Sequence, residues 1–153
     1  LERRRRQAVA GGYRLTSHDP ATEQVTLVGV GAIMPEVIRA CEVLAAQGIT
    51  AGVVCLTSPD LVFRSFNRRG ALGAVDGDDI VDVLFPAEHR APIVTVMDGH
   101  PHTLSYLAGV RGDRIRCLGV SDFGQSSNLE DAYELHGIDT RAMVDAALGL
   151  LGR

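Results

Sequence analysis

"VTLVGVGAIMPEVIRACEVLAAQGITAGVVCLTSPDLV", residues 25–62, decides the fold. Its first part, extended back to Gln24, is a β-branched run bounded by glycine and reads as a buried strand. Pro35 suits the first turn of a helix, where its missing N–H costs nothing. The helix is predicted to run to about Gln47, with Val37, Cys41, Leu44 and Ala45 on one face and Glu36, Arg39 and Glu42 elsewhere. Gly48 is its left-handed stop. "TAGVVCLTS" is a second strand, and Ser58-Pro59-Asp60 starts a helix through "LVFRSFNRR". Strand, helix and strand in this order make a crossover unit with parallel strands.

The Gly-X-Gly at Gly29 and Gly31 invites a nucleotide-cradle reading, which the neighbouring residues oppose. A dinucleotide fingerprint needs a third glycine three residues on, where this chain has Met34 followed by Pro35. The next strand ends Leu56-Thr57-Ser58 before any acidic residue. The glycines read as a strand-to-helix turn, and nucleotide binding there is not expected.

Outward from this unit the alternation continues. "GAVDGDD" (residues 73–79) is turn chemistry and "IVDVLF" a short apolar segment. "APIVTVMDG" is a third buried strand ending at Asp98-Gly99, residues 102–110 can form a short helix, and "RIRCLGVSD" is a fourth strand. "SSNLEDAYELHG" carries a polar cap at Asn128 and a helix that Gly137 stops. A last amphipathic helix, "DTRAMVDAALGLL", has Ile138 as its staple and Asp139 or Thr140 as its cap. The expectation is an α/β fold with a mainly parallel sheet covered on both faces. Residues 1–20 read as an approach segment from an upstream domain, and 21–153 as the domain itself.

Composition bounds what such a domain does. With 153 residues and 46% hydrophobic content, one ordered core forms without disulfides or metal staples. Net charge is −4, so nothing overall points to nucleic acid, and Arg3–Arg6 reads as a solvated linker or helix face. Cys41, Cys55 and Cys117 are far apart, which suits buried thiols in a reducing cytoplasm. No secretory leader is visible, and no apolar run approaches the roughly 20 residues that span a bilayer.

Candidate chemistry gathers at predicted strand ends. Asp98-Gly99 and Asn128 mimic the Gly-Asp-Gly…Asn spacing that holds thiamine diphosphate and magnesium, but the first glycine is missing and Asn128 reads as a cap. His100 and His102 follow Asp98 at the carboxyl end of a strand, where ligands of open parallel sheets gather. A metal there needs further ligands that the sequence does not nominate. His136 precedes a helix stop, and His18 and His89 fall in loops. Ser126 and Ser127 lack the Gly-X-Ser-X-Gly of a nucleophile elbow. Asp122-Phe123-Gly124 matches a kinase triplet by chance, since the chain contains no lysine for the kinase strand. Cys55, inside "GVVCL", is expected to be buried rather than nucleophilic. No self-sufficient catalytic apparatus is legible.

Taken in order, Gly11–Leu15 (Gly-X-Tyr-X-Leu), Gly29 with Gly31, Leu56–Ser58, and Asp122–Ser126 (Asp-X-X-X-Ser around Phe123-Gly124) resemble the C-terminal domain of the transketolase superfamily. The nearest likeness is to the homodimeric-type pyruvate dehydrogenase component. That resemblance implies a three-layer α/β/α sandwich around a five-stranded, mostly parallel sheet with one antiparallel strand. It also implies that thiamine diphosphate and Mg2+ bind upstream domains and not this one. The tail "FGQSSNLEDAYELHGID" is more similar to transketolase and to dehydrogenase β subunits, which leaves the substrate open between pyruvate and a ketose phosphate.

The resemblance further implies partners: upstream thiamine-binding domains of the same chain, a second copy in a homodimer, and the lipoyl acyltransferase of a dehydrogenase complex. No nucleic acid and no membrane are expected. The residues expected to line the interface or the entrance to the active-site channel are Ser58, Asp60, Asp98, His100, His102, Asp122, Phe123, Gly124 and Ser126. A rival reading of another class is a stand-alone, non-catalytic interaction module, which an open reading frame of this length alone would favour.

Overall fold

Strand and helix signals in residues 25–62 translate directly into backbone. The computed structural model describes residues 2–16, 19–69, 79–124 and 126–153. In chain order these form α1 (Glu2–Ala10), β1 (Gly12–Arg14), β2 (Val25–Val30), α2 (Met34–Ala46), β3 (Ala51–Leu56), α3 (Pro59–Arg69) and α4 (Ile80–Leu84). They continue with β4 (Ile93–Met97), a 3-10 helix at Pro101–Leu107 that runs on into α5 (Ala108–Arg111), β5 (Ile115–Leu118), α6 (Leu129–Leu135) and α7 (Thr140–Leu151). Most of the "GAVDGDD" turn, and His18, lie outside the described residues.

The sheet order is β1-β3-β2-β4-β5, with β1 antiparallel and every other pairing parallel. Crossing from β3 to β4 carries the chain over β2, so the order reverses beside β2. Alternation along the strands divides the core in two. Leu27, Val53, Val94 and Val96 face α2 and α7 through Val37, Leu44, Met143 and Val144. Val28, Val54, Leu56 and Ile93 face the other way, onto Val62, Leu84, Phe85, Leu104 and Leu107. These are the three layers expected for the fold, and strands buried on both faces explain why "VTLVGV" and "AGVVCL" read as continuous apolar runs.

Local stops fall where the sequence puts them. Gly48 and Gly137 end α2 and α6 in the left-handed region. The Asn128 side chain accepts from Asp131 N at 2.9 Å and donates to its carboxylate at 2.7 Å, and Asp139 caps α7 by accepting from Ala142 N at 2.9 Å.

The four strands read from apolar runs are β2 to β5, and the antiparallel one comes from the approach segment. Gly12–Arg14 pairs with Val54–Leu56, and α1 lies beside it with no buried residue. A three-residue strand lacks the length for a visible alternation, so only its pairing identifies it.

Candidate functional site

Parallel strands discharge their loops at one edge, and every residue nominated from the sequence lies in or just beyond those loops. Behind β3, Ser58 Oγ accepts from Leu61 N at 3.3 Å and so caps α3, and Asp60 pairs with Arg64 at 2.9 Å across one helical turn. Behind β4, Asp98 is exposed, and His100 starts the 3-10 helix by accepting from His102 N at 3.2 Å through Nδ1. The two imidazoles stand 6.4 Å apart between centroids. Ser105 Oγ donates to the His102 carbonyl at 2.8 Å, which holds that turn. Behind β5, Asp122, Phe123, Gly124 and Ser126 are all exposed, Phe123 at 97%.

The exits of β4 and β5 are joined. Val120 N donates to Gly99 O at 2.8 Å, and Gly119 lies so close to the other loop that an added Cβ would stand 2.8 Å from Pro101 N. Gly119→Ala is therefore expected to cost about 1–3 kcal/mol, because the clash is with backbone that cannot swing away. A urea midpoint unchanged from the parent protein would contradict this packing.

Of the nominated residues, Asp60 and His102 meet in one recess of about 370 Å3, lined also by Pro59, Phe63, Thr103, Ser105 and Tyr106. Tyr106 Oη donates to Pro59 O at 3.1 Å, and its ring meets Phe63 edge-on at 5.1 Å and Phe66 at 5.8 Å. Burial pushes the Tyr106 phenol well above its usual range, so the hydroxyl remains a donor. Asp98, His100, Asp122, Phe123, Gly124 and Ser126 do not line this recess.

Asn128 uses both ends of its amide on Asp131, capping α6 as its sequence position predicts. Among the described residues no group of three or more His, Cys, Asp or Glu side chains is placed to hold a metal ion, and no helix is long and apolar enough to cross a membrane. Cys55 is buried at 8% exposure, and Cys41 is half-buried with its thiol pushed up, by burial first and then by Glu42.

What sequence reading missed lies at the opposite, amino edge of the sheet. The buried Glu23 carboxylate takes Arg14 Nη2 on Oε1 and the Thr26 hydroxyl on Oε2 at 2.8 Å, while Arg14 Nη1 donates to Leu84 O at 2.6 Å. The Thr26 hydroxyl has one proton and gives it to Glu23, so it accepts from His89 Nε2. That sets the tautomer of His89, which is fully buried, and turns its Nδ1 toward Asp113 Oδ2 at 3.8 Å. Neither of these last two atoms has a hydrogen-bond partner among the described residues. Burial above all holds the His89 pKa down at about 4; the guanidinium groups of Arg14 and Arg111 add to this, and the Asp113 carboxylate opposes it. Residues 14, 23, 89 and 113 share no local pattern, so the loop position of His89 gave no signal of its burial.

Comparison with known proteins agrees with this architecture. The sequence model of the family described as "Transketolase-like TK C-terminal domain" matches residues 11–139. The chain is 30% identical over 139 residues to Transketolase 10 of Craterostigma plantagineum, covering 90% of this chain and 18% of that protein. It is 31% identical over 158 residues to the pyruvate dehydrogenase E1 component of Escherichia coli K12, covering 94% of this chain and 17% of that one. The chain thus spans less than a fifth of the length of these relatives. In three dimensions it superimposes on transketolase from Leishmania mexicana with a TM-score of 0.71 at 20% identity, covering 96% of this chain and 19% of that one. A split-gene transketolase chain, described as an inactive beta4 tetramer, matches with a TM-score of 0.61 at 20% identity, over 94% of this chain and 43% of that one.

Proposed function

The chain belongs to the transketolase-like C-terminal domain family, and from that premise we propose that it is the C-terminal domain of a thiamine diphosphate-dependent 2-oxoacid dehydrogenase acting on pyruvate. The observation that carries this reading is the pairing of a complete three-layer fold with a carboxyl edge where the nominated side chains cap helices and face solvent. Such an edge is suited to contact with other domains rather than to bond making. In the longer polypeptide, thiamine diphosphate and Mg2+ sit on the upstream domains, and the cofactor supplies the carbon nucleophile for decarboxylation. This chain contributes shape: the loops at Ser58 and Asp60, at Asp98, His100 and His102, and at Asp122–Ser126 line the domain interface and the channel entrance. A second copy across a homodimer, and a lipoyl acyltransferase accepting the two-carbon unit, complete the set of partners.

Transketolase is the second reading, favoured by the identity to the Craterostigma protein over nearly the same stretch. Assay of the full polypeptide containing this domain separates the two. Turnover of pyruvate with a lipoyl acceptor is expected, and turnover of xylulose 5-phosphate with an aldose acceptor instead would move the assignment to transketolase. Residues 1–153 alone, supplied with thiamine diphosphate and Mg2+, are expected to turn over neither. Activity from this chain by itself would overturn the reading.

A further inference from the structure

We propose that the recess between the first turn of α3 and the 3-10 helix Pro101–Leu107 binds a planar nitrogen heterocycle, uncharged or cationic and of nucleobase to nucleoside size. Two of its lining residues, Asp60 and His102, belong to loops assigned above to the channel entrance, so the proposal rests on that reading leaving the recess open.

Three observations give the ligand class. First, the walls present flat aromatic surface: Phe63 is 39% exposed and stands at 75° to Tyr106, forming a corner against which a ring can lie. The corner is preformed. Tyr106 is tied to Pro59 by its hydroxyl and backed by Phe66, which in turn approaches Gly109 so closely that a Cβ there would stand 3.0 Å from its ring. Second, the polar rim offers acceptors and an imidazole. Asp60 gives Oδ2 to Arg64, leaving Oδ1 for a ring N–H or exocyclic amine. Ser105, whose proton goes to the His102 carbonyl, keeps its oxygen lone pairs. Third, among the described residues the lining carries one carboxylate, Asp60, and no arginine; Arg64, which pairs with Asp60 Oδ2, is 70% exposed and lies outside the lining. Phosphorylated compounds are thus disfavoured, while a neutral or protonated base matches. The volume of about 370 Å3 suits one ring system with a few further atoms, near the lower end of the roughly 300–1,000 Å3 of small-molecule sites.

The test is a 15N–1H NMR titration of the 153-residue chain with adenosine, cytidine, nicotinamide, AMP and ribose. Adenosine, cytidine or nicotinamide is expected to shift the amides of Asp60, Phe63 and residues 102–106 saturably, with ribose inert and AMP about fivefold weaker than adenosine. Phe63→Leu keeps apolar bulk but removes the flat face, and should weaken binding about tenfold. Asp60→Asn should narrow the gap between adenosine and AMP. Should Phe63→Leu lose spectral dispersion, Thr103→Trp, which fills the recess from an exposed position, must abolish the shifts instead. The proposal falls if none of the three heterocycles moves these amides at about 10 mM, if AMP binds as well as adenosine, or if a folded Phe63→Leu protein binds unchanged.

Discussion

Glu23→Ala is expected to destabilise the fold by roughly 3–5 kcal/mol in urea unfolding at neutral pH. The Glu23 side chain is wholly buried and the Arg14 side chain is 11% exposed, so losing the carboxylate leaves a guanidinium without its counter-charge under the sheet. Thr26 loses the acceptor for its hydroxyl proton at the same stroke, and the tautomer of His89 loses its definition. Burial lowers the Arg14 pKa to about 10. Glu23 also lies directly over Gly52 of β3, so a Cβ on Gly52 would occupy the carboxylate's space. The double variant Arg14→Met with Glu23→Leu removes both charges and should recover much of the loss, since a buried pair replaced by apolar bulk is often neutral. A loss below about 1 kcal/mol for Glu23→Ala would mean that water reaches the pair.

The second large effect is on pH. His89 holds its proton less tightly in the folded protein, with a pKa of about 4 against an ordinary 6.5. Between these values the unfolded chain binds the extra proton and the folded chain does not, so acid pulls the equilibrium toward unfolding. Stability should therefore fall as pH drops from about 6.5 to about 4, by about 1.4 kcal/mol per unit and roughly 3 kcal/mol in all, then level off for this group. Burial sets the direction, and the nearby guanidinium groups reinforce it. Arg14 and Arg111 repel a second cation, and Arg111 is itself held by Asp82 at 2.6 Å and by the Phe85 carbonyl at 2.6 Å. The carboxylates of Asp113, 3.8 Å from Nδ1, and Glu23, 3.4 Å from Nε2, favour the proton, and burial outweighs them. Urea midpoints measured between pH 7 and pH 4 check the slope, and His89→Gln should lessen it by about one proton. Equal slopes in the two proteins would remove His89 from the acid response.

Much of the molecule was legible from residue order. Val25–Val30 and Ala51–Leu56 had to be buried on both faces because they are apolar without alternation, and a helix of 13 residues between them leaves a parallel crossover as the way back. The stops at Gly48 and Gly137 and the caps at Asn128 and Asp139 are local chemistry, readable within four residues. The candidate edge was legible for the same reason, since strand direction alone sends Ser58, Asp98 and Asp122 to one side.

Other features depended on contacts distant in sequence. Asp60 and His102 share a recess only because α3 and the 3-10 helix pack on one face, whereas His100, two residues from His102, does not line it. Arg14 and Glu23 meet His89 through a sheet order that sets β1, β3 and β2 side by side. Burial of apolar runs and capping are short-range and leave a pattern in the sequence. The buried polar cluster joins partners 9 residues apart, Arg14 and Glu23, to partners 63 apart, Thr26 and His89, and only the packed sheet brings all of them within reach.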